Sequence, residues 1–371
     1  MTLQKNRSAV RRFAKLTRFA AWLPSIPNKV TPAPFRLMQI GSAFWQSRVL
    51  YVAARLDIAS VLADERLSAE EIASRIQAQP DATYRLLRML AAIGVFEEVS
   101  PRVFRNNKLS DCLREGNPQN VRAMILMHNS PEMSHPWYEQ LEQGVRSGEV
   151  PFKLAHQQEL FAYMDEHSAF DVLFSRAMDS VEALAGDSFA TDFDWGRFER
   201  IIDIGGSKGS KSAAILKRHP HLAALVVDRA QVIAGAVQYW QERGEQALLA
   251  RMDFQAGDIL EAVPPAAGDK DIYFLIAVLH CFDDATCITL LRNLAEASAG
   301  TGAPIVLMEM VLPEQGADLA SASFDMQMFM GTRGRERTLV EWQRLFDESG
   351  LALKEIVSLQ TFGKMLVLLP T

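Results

Sequence analysis

Five polar residues stand where apolar runs end, and with a sixth elsewhere their types suit ligand capture and proton removal. Asp203, Asp228, Asp258, His280 and Glu309 each close or follow an apolar run, and Glu336 lies in Gly334-Arg335-Glu336-Arg337-Thr338. Ile201-Ile202-Asp203-Ile204-Gly205-Gly206-Ser207-Lys208-Gly209 reads as a buried strand entering a glycine turn, with a helix starting at Ser210. Such a turn presents backbone N–H groups to a nucleotide-like ligand. Its spacing fits neither G-x-G-x-x-G nor a Walker loop. An acid before the turn repels a diphosphate, so a cationic, phosphate-free ligand such as S-adenosylmethionine (SAM) suits Asp203 better. Asp228 can accept both hydrogens of a ribose diol. Asp258 can accept from an exocyclic amine such as adenine N6, or act as a solvated or capping carboxylate. A histidine ordinarily titrates near neutrality, so His280 suits proton removal from a hydroxyl during methyl transfer. A base of this kind needs a partner to fix its tautomer; Glu309 and Glu336 are candidates, with ordinary capping and ion pairing the alternative.

The elements that position these groups alternate between strand and helix after Trp195. Strands are predicted at 201–204, 224–227, 252–254, 271–276 and 304–308, with helices over 210–218, 232–243, 286–299 and 341–349. An edge pair, 353–359 with 365–369, closes the chain. This is an α/β pattern with a parallel sheet, whose ligands bind beyond the strand C-termini.

Ahead of it, apolar spacing from 35 to 63 is helical, and Ser68 with Glu71 forms a capping-box pattern. A second helix over 80–93 ends at Gly94, and 95–99 and 103–105 read as short strands. Helix–turn–helix followed by a β wing is a winged-helix arrangement. DNA binding would use Arg85, Arg88, Arg102 and Arg105, but Asp81, Glu97 and Glu98 interrupt that surface. A dimerisation role fits better. From 120 to 185 the chain is helical and rich in Met, His and aromatics, which suits a packed core or an apolar substrate pocket. His128 is its polar candidate.

The chain of 371 residues, 49% hydrophobic with a net charge of −6, can bury a large core and gives no global reason to expect nucleic acid. Its three cysteines lack metal-ligand spacing, so no metal is expected and a reducing cytoplasm fits. No apolar run is long enough to span a bilayer, and no secretory signal is expected. Charge is uneven: Met1 to Leu56 holds ten Lys and Arg and no acid. Residues 8–23 pattern as a basic amphipathic helix with Phe13, Leu16, Phe19 and Trp22, either a membrane or partner arm, a loosely held extension, or a helix packed on a dimer mate. Pro24, Pro27, Pro32 and Pro34 mark a linker after it.

Asp-Ile-Gly-Gly-Ser-Lys-Gly, Val-Asp-Arg, Gly-Asp-Ile-Leu, Val-Leu-His-Cys-Phe-Asp-Asp and Gly-Arg-Glu-Arg-Thr, in this order, resemble the plant-caffeate-type small-molecule O-methyltransferases. The bacterial secondary-metabolism branch, including phenazine methyltransferases, is the closer likeness. The resemblance runs from about Met38 to Leu369. It implies a Rossmann-like SAM domain over 191–371, a winged-helix-like homodimerisation domain over 36–118, a helical linker lining the substrate pocket over 119–190, and a basic arm over 1–35 outside the likeness. It implies SAM as cofactor, S-adenosylhomocysteine (SAH) as product and a small aromatic or heteroaromatic acceptor; composition and apolar run length argue against nucleic acid and against stable membrane insertion. By position, Asp203, Gly205, Gly206, Ser207, Gly209, Asp228, Arg229, Gly257, Asp258 and Ile259 would bind SAM. His280 would be the base with Glu309 and Glu336 flanking it, and His128, Phe161, Met164, Phe174, Met178, Asp325 and Met328 would wall the pocket.

Ser207 stands where the family has a third glycine, Lys208 adds a charge, and Cys281-Phe282 replaces Asp-Trp. At a φ > 0 position Ser would strain the turn. N-methylation, and a pericyclic, decarboxylating or hydroxylating catalyst on the same fold, are the alternatives. A SAM-sensing DNA-binding regulator is a remote one.

Overall fold

The computed structural model describes residues 2–22, 30–361 and 363–371; Pro24 and Pro27 of the expected linker lie outside them. The chain forms two compact units, one of residues 23–186 and one of 1–22 with 187–371.

In the 23–186 unit, Ser68 caps the helix Ala69–Arg75 by accepting from the Glu71 N–H, and Glu71 returns a bond to the Ser68 N–H. Pro80 opens the next helix, Pro80–Ala92, where its missing N–H costs nothing. A hairpin of β2 (Glu97–Ser100) and β3 (Val103–Arg105) follows, and β3 also pairs with β1 (Leu67–Ser68). The expected helix–turn–helix and hairpin are thus present, closed over Ile58, Leu62, Ile72, Leu87, Leu90, Phe96 and Phe104. Full burial of each such side chain is worth about 1.5–3 kcal/mol. The helical spacing over 35–63 is carried by three helices, Ala33–Gly41, Ala43–Arg55 and Ile58–Leu62, because the chain turns at Ser42 and Asp57 takes a φ of 53°. The helix Ala33–Gly41 buries no residue, and Phe35, Leu37, Met38, Phe44 and Trp45 are exposed. Each wing arginine is matched by an acid: Arg102 by Glu70 and Arg105 by Glu97. Arg85 pairs with Asp81, and Arg88 lies over the Tyr84 ring.

In the other unit, successive residues of each central strand enter opposite cores. Ile201, Val226, Phe274 and Val306 face a cluster with Trp195, Ile215 and Trp240, whereas Ile202, Val227, Tyr273 and Leu307 face one with Leu290, Trp342 and Phe346. Helices on both faces explain why these strands read as unbroken apolar runs. The sheet combines β4 (Arg200–Ile204), β5 (Ala223–Asp228), β6 (Met252–Ala256), β7 (Asp271–Ile276), β8 (Ile305–Glu309), β11 (Leu351–Ser358) and β12 (Lys364–Pro370) in the order 11-12-8-7-4-5-6. β4 to β8 pair in parallel and β12 inserts antiparallel between β8 and β11, so the last two strands extend the sheet rather than pair only with each other. The short strands β9 (Val311–Leu312) and β10 (Arg337–Thr338) form a separate parallel pair. The order reverses direction between β4 and β7, the place where an open sheet leaves a crevice beyond its strand ends.

Residues 3–5, ahead of the helix Arg7–Trp22, pack on the sheet. The Gln4 side chain donates to Ser358 O (2.9 Å) and accepts from Ser358 N–H (2.8 Å) along the edge of β11. Leu3 is buried in the sheet's core, and Lys5 pairs with Asp194 at 3.1 Å. The segment covers an edge strand whose backbone groups would otherwise be open to pairing.

Candidate active site

The glycine turn after β4 has no room for side chains. A Cβ on Gly206 would sit 2.6 Å from Asp203 Oδ2, one on Gly205 would lie 2.9 Å from Val278, and one on Gly209 3.0 Å from Met252 and Val226. Gly205 and Gly209 also have φ of 72° and 78°. Asp203 is 2% exposed and accepts from the Ser212 hydroxyl at 2.7 Å. It therefore braces the turn against the following helix from below, instead of facing a ligand as the sequence reading placed it. Asp228 holds the turn from the side: Oδ2 accepts from the Ser207 N–H (2.8 Å) and Oδ1 from the Arg229 N–H (2.7 Å). Each oxygen keeps a lone pair for a hydroxyl. The Gly257 N–H donates to the Asp228 carbonyl at 3.0 Å, which sets Asp258 beside it, exposed, with its side chain accepting from the Leu260 N–H in a local turn. Ile259 lies half-buried over the adjoining core.

Both departures in the turn have structural answers. Ser207 takes a φ of 53°, the strained conformation that a third glycine would relax. Lys208 turns away, with Nζ 5.0 Å from the Tyr239 ring centre. Ser207→Gly should raise stability by about 0.5 kcal/mol, since left-handed strain of about 1–2 kcal/mol exceeds the extra chain entropy of glycine. Denaturant unfolding checks this, and a loss of stability would remove strain as the explanation.

On the other side of the crevice, Ala277 takes a φ of 51° after β7 and the chain turns through Leu279–Cys281. Glu309 Oε1, at the end of β8, accepts from the Val278 and Leu279 N–H groups at 3.1 and 2.9 Å. Glu309 thus shapes the turn that presents His280. His280 Nδ1 lies 2.8 Å from Glu336 Oε1, with the ring 18% exposed and Glu336 2%. Donation from Nδ1 to Glu336 leaves Nε2 for a reacting group. The acid is itself held by Asp325, whose Oδ1 accepts the Glu336 N–H at 2.9 Å. Burial disfavours the His280 cation, but hydrogen bonding to Cys281 and Glu336 and the charge of Glu309 outweigh it and raise its pKa well above the usual value. Burial also raises the pKa of Glu309.

Glu309 Oε2 and Glu336 Oε2 are buried without a hydrogen-bond partner among the described residues. Ligand atoms of His280, Glu309 and Glu336 lie within 4.8 Å of one another, a donor set a divalent cation could use. A proton shared between base and acid satisfies the same geometry.

Arg337 and Gly334 carry the loop and had no role in the sequence reading. Arg337 is fully buried; Nη1 donates to Leu279 O (3.2 Å), Nη2 to Phe282 O (2.9 Å), and its guanidinium pairs with Asp284. It clamps the carbonyls on either side of His280. Gly334 lies against the same turn, where a Cβ would fall 2.5 Å from the Cys281 carbonyl carbon and 2.7 Å from that of His280. Both residues belong to the quoted Gly-Arg-Glu-Arg-Thr stretch. The signal was an arginine directly after the acid, flanked by Gly and Thr.

The pocket candidates divide between the units. Asp325 and the half-buried Met328 lie on the helix Leu319–Gly331 of the sheet-bearing unit. Met164 is buried in the helical core of the other unit with Met127, Met133 and Phe152, and Phe174 and Met178 pack against that core. These three fit the packing reading, whereas His128 and Phe161 are exposed.

Residues 138–352 match the O-methyltransferase domain family, and 38–116 match the O-methyltransferase dimerisation domain. The chain is similar to the phenazine O-methyltransferase PhzM of Lysobacter antibioticus, 32% identical over 86% of this chain and 92% of that one. It is 29% identical to the 8-amino-8-demethylriboflavin N,N-dimethyltransferase of Streptomyces davaonensis, over 88% and 92% of the two chains. The crystal structure of LaPhzM superposes with a TM-score of 0.83 at 29% identity, covering 92% of this chain and all of that one.

Proposed function

Because the chain belongs to the SAM-dependent O-methyltransferase family, we propose that it methylates a hydroxyl of a small aromatic or heteroaromatic secondary metabolite, with His280 as general base. The observation that carries this is the His280–Glu336 pair at the crevice of the sheet, its Nε2 left for the acceptor. The turn suits SAM: Gly205 and Gly206 let the backbone pack closely on Val278 and Asp203, and Asp228 retains acceptor capacity for a ribose. Ser207, Gly209, Arg229, Gly257, Asp258 and Ile259 complete that side. Bound SAM supplies a methyl group made electrophilic by its sulfonium. His280 Nε2 takes the acceptor's proton as its oxygen bonds to carbon and the carbon–sulfur bond breaks, leaving SAH. Glu336 fixes the ring's tautomer and shares the charge that develops on it, while Glu309, Asp325 and Arg337 hold the two in place.

The exposed apolar residues of Ala33–Gly41 and Ala43–Arg55, at the start of the dimerisation domain and just before it, support a second copy of the chain as the partner. The paired wing arginines support a role without nucleic acid. No helix among the described residues is long and apolar enough to cross a membrane, and the three free cysteines support a cytoplasmic setting.

Release of SAH from SAM with a panel of phenols and aryl amines tests the reading. Turnover of phenols supports it. SAM binding without methylation of any acceptor would favour a non-methylating catalyst on this fold.

The raised pKa of His280 gives a further expectation. The ring accepts a proton only when neutral, so the rate on a phenol should climb with pH to a midpoint above the usual histidine value. Glu336→Gln removes the anion that favours the imidazolium, so that midpoint should move down while the plateau rate falls. The same proton is bound more tightly in the folded chain than in the unfolded one. Its contribution to stability is therefore complete below about pH 6.5 and is lost as pH rises through the folded pKa. A profile identical in wild type and Glu336→Gln would show that another group titrates.

A further inference from the structure

The N-terminal helix Arg7–Trp22 lies before the matched families begin, and methyl transfer leaves it without a role. Val10 is buried and Phe13 and Thr17 half-buried, all on one side of the helix, whereas Leu16, Phe19 and Trp22 are 67, 58 and 51% exposed. Phe19 and Arg12 lie opposite Val10 on the helix, with Lys15, Trp22 and Leu16 beside them and Arg11 and Arg18 on one flank. The helix contains no acid, and Arg11, Arg12, Lys15 and Arg18 have no partner among the described residues. The rest of the chain differs sharply: beyond Leu56 it carries 29 Lys and Arg against all 45 Asp and Glu.

Exposed Leu, Phe and Trp beside unpartnered Lys and Arg on one helix suit an anionic bilayer interface. The charges meet headgroups while the apolar side chains enter the acyl boundary. A nucleic acid would use the charges and gain nothing from Leu16 and Phe19. The same helix from a second copy would set like charges against each other. We propose that Arg7–Trp22 is a peripheral anchor that docks the enzyme on an anionic lipid surface, with the bonds of Leu3, Gln4 and Lys5 to the sheet-bearing unit fixing that unit to the anchor.

The test is flotation of the full chain with vesicles of phosphatidylcholine alone and with about 30% phosphatidylglycerol. At least about tenfold more protein should float with the anionic vesicles, and added salt should release it. Arg11→Glu/Lys15→Glu/Arg18→Glu, and separately Leu16→Ser/Phe19→Ser, should each abolish flotation while soluble-assay methyl transfer stays unchanged. Equal flotation with both vesicles, none with either, or full flotation of the charge-reversed chain would overturn the proposal. So would a change in assembly mass of that variant, measured without lipid, in a chain that never floats, since the helix would then be docking on another copy.

Discussion

His280→Ala should lower methyl transfer to a phenol by about 10²–10⁴-fold, the usual worth of a positioned general base. SAM affinity should change little, because the ring bonds Glu336 and, among the described residues, makes no hydrogen bond to the Gly205–Gly209 turn or to Asp228. An amine acceptor attacks through its lone pair and releases its proton afterwards, so its rate should survive the substitution. Initial rates with a phenol and an aryl amine, beside a calorimetric SAM titration, separate these outcomes. Removal of the ring leaves Glu336 buried beside Glu309 without its partner, so melting should be followed in parallel. If the variant folds, binds SAM and keeps most phenol activity, His280 is not the base. Equal losses on both acceptors would make the ring a binding wall.

Gly334→Ala should be nearly as damaging, although residue 334 supplies no chemical group. Its Cβ would fall 2.5 Å from the Cys281 carbonyl carbon and nearer still to the His280 carbonyl oxygen, so one backbone must yield. The turn cannot yield easily, since Glu309 holds Val278 and Leu279 by their N–H groups and Arg337 holds Leu279 and Phe282 by their carbonyls. A displacement of about 1 Å in a catalytic group costs about 10² in rate, and overpacking costs about 1–3 kcal/mol in stability. The phenol rate should fall by that factor with a lowered melting temperature. Wild-type turnover with an unchanged melting curve would mean that the close approach is absent in solution.

Much of this protein was legible along the chain because its signals are local. Apolar runs such as Ile201-Ile202 and Phe274-Leu275 marked strands buried on both faces, and polar residues at their ends marked the crevice. Ser207 announced strain in the turn, and a φ of 53° is there. Ser68 and Glu71 announced a helix start, and Arg11 to Trp22 a basic amphipathic helix. In each case the cause lies within a few residues of its effect.

Choices between distant partners were not legible. Glu309 and Glu336 were equal candidates to orient His280. Pairing of β10 with β9 draws Glu336 beside the end of β8, and Glu336 takes the ring across 56 positions while Glu309 bonds the turn. Asp203 read as a ligand-facing acid until packing placed it under Gly206. Gln4 gave no sign of meeting Ser358, 354 positions away. Hydrophobic period and turn chemistry depend on adjacent residues, so order in the chain was enough to state which elements form and which side chains stand at their ends. Which carboxylate meets the imidazole, and which glycine must stay bare, depends on the approach of separate segments. That approach is set by the packing of both sheet faces together and leaves no trace in any one stretch of the chain.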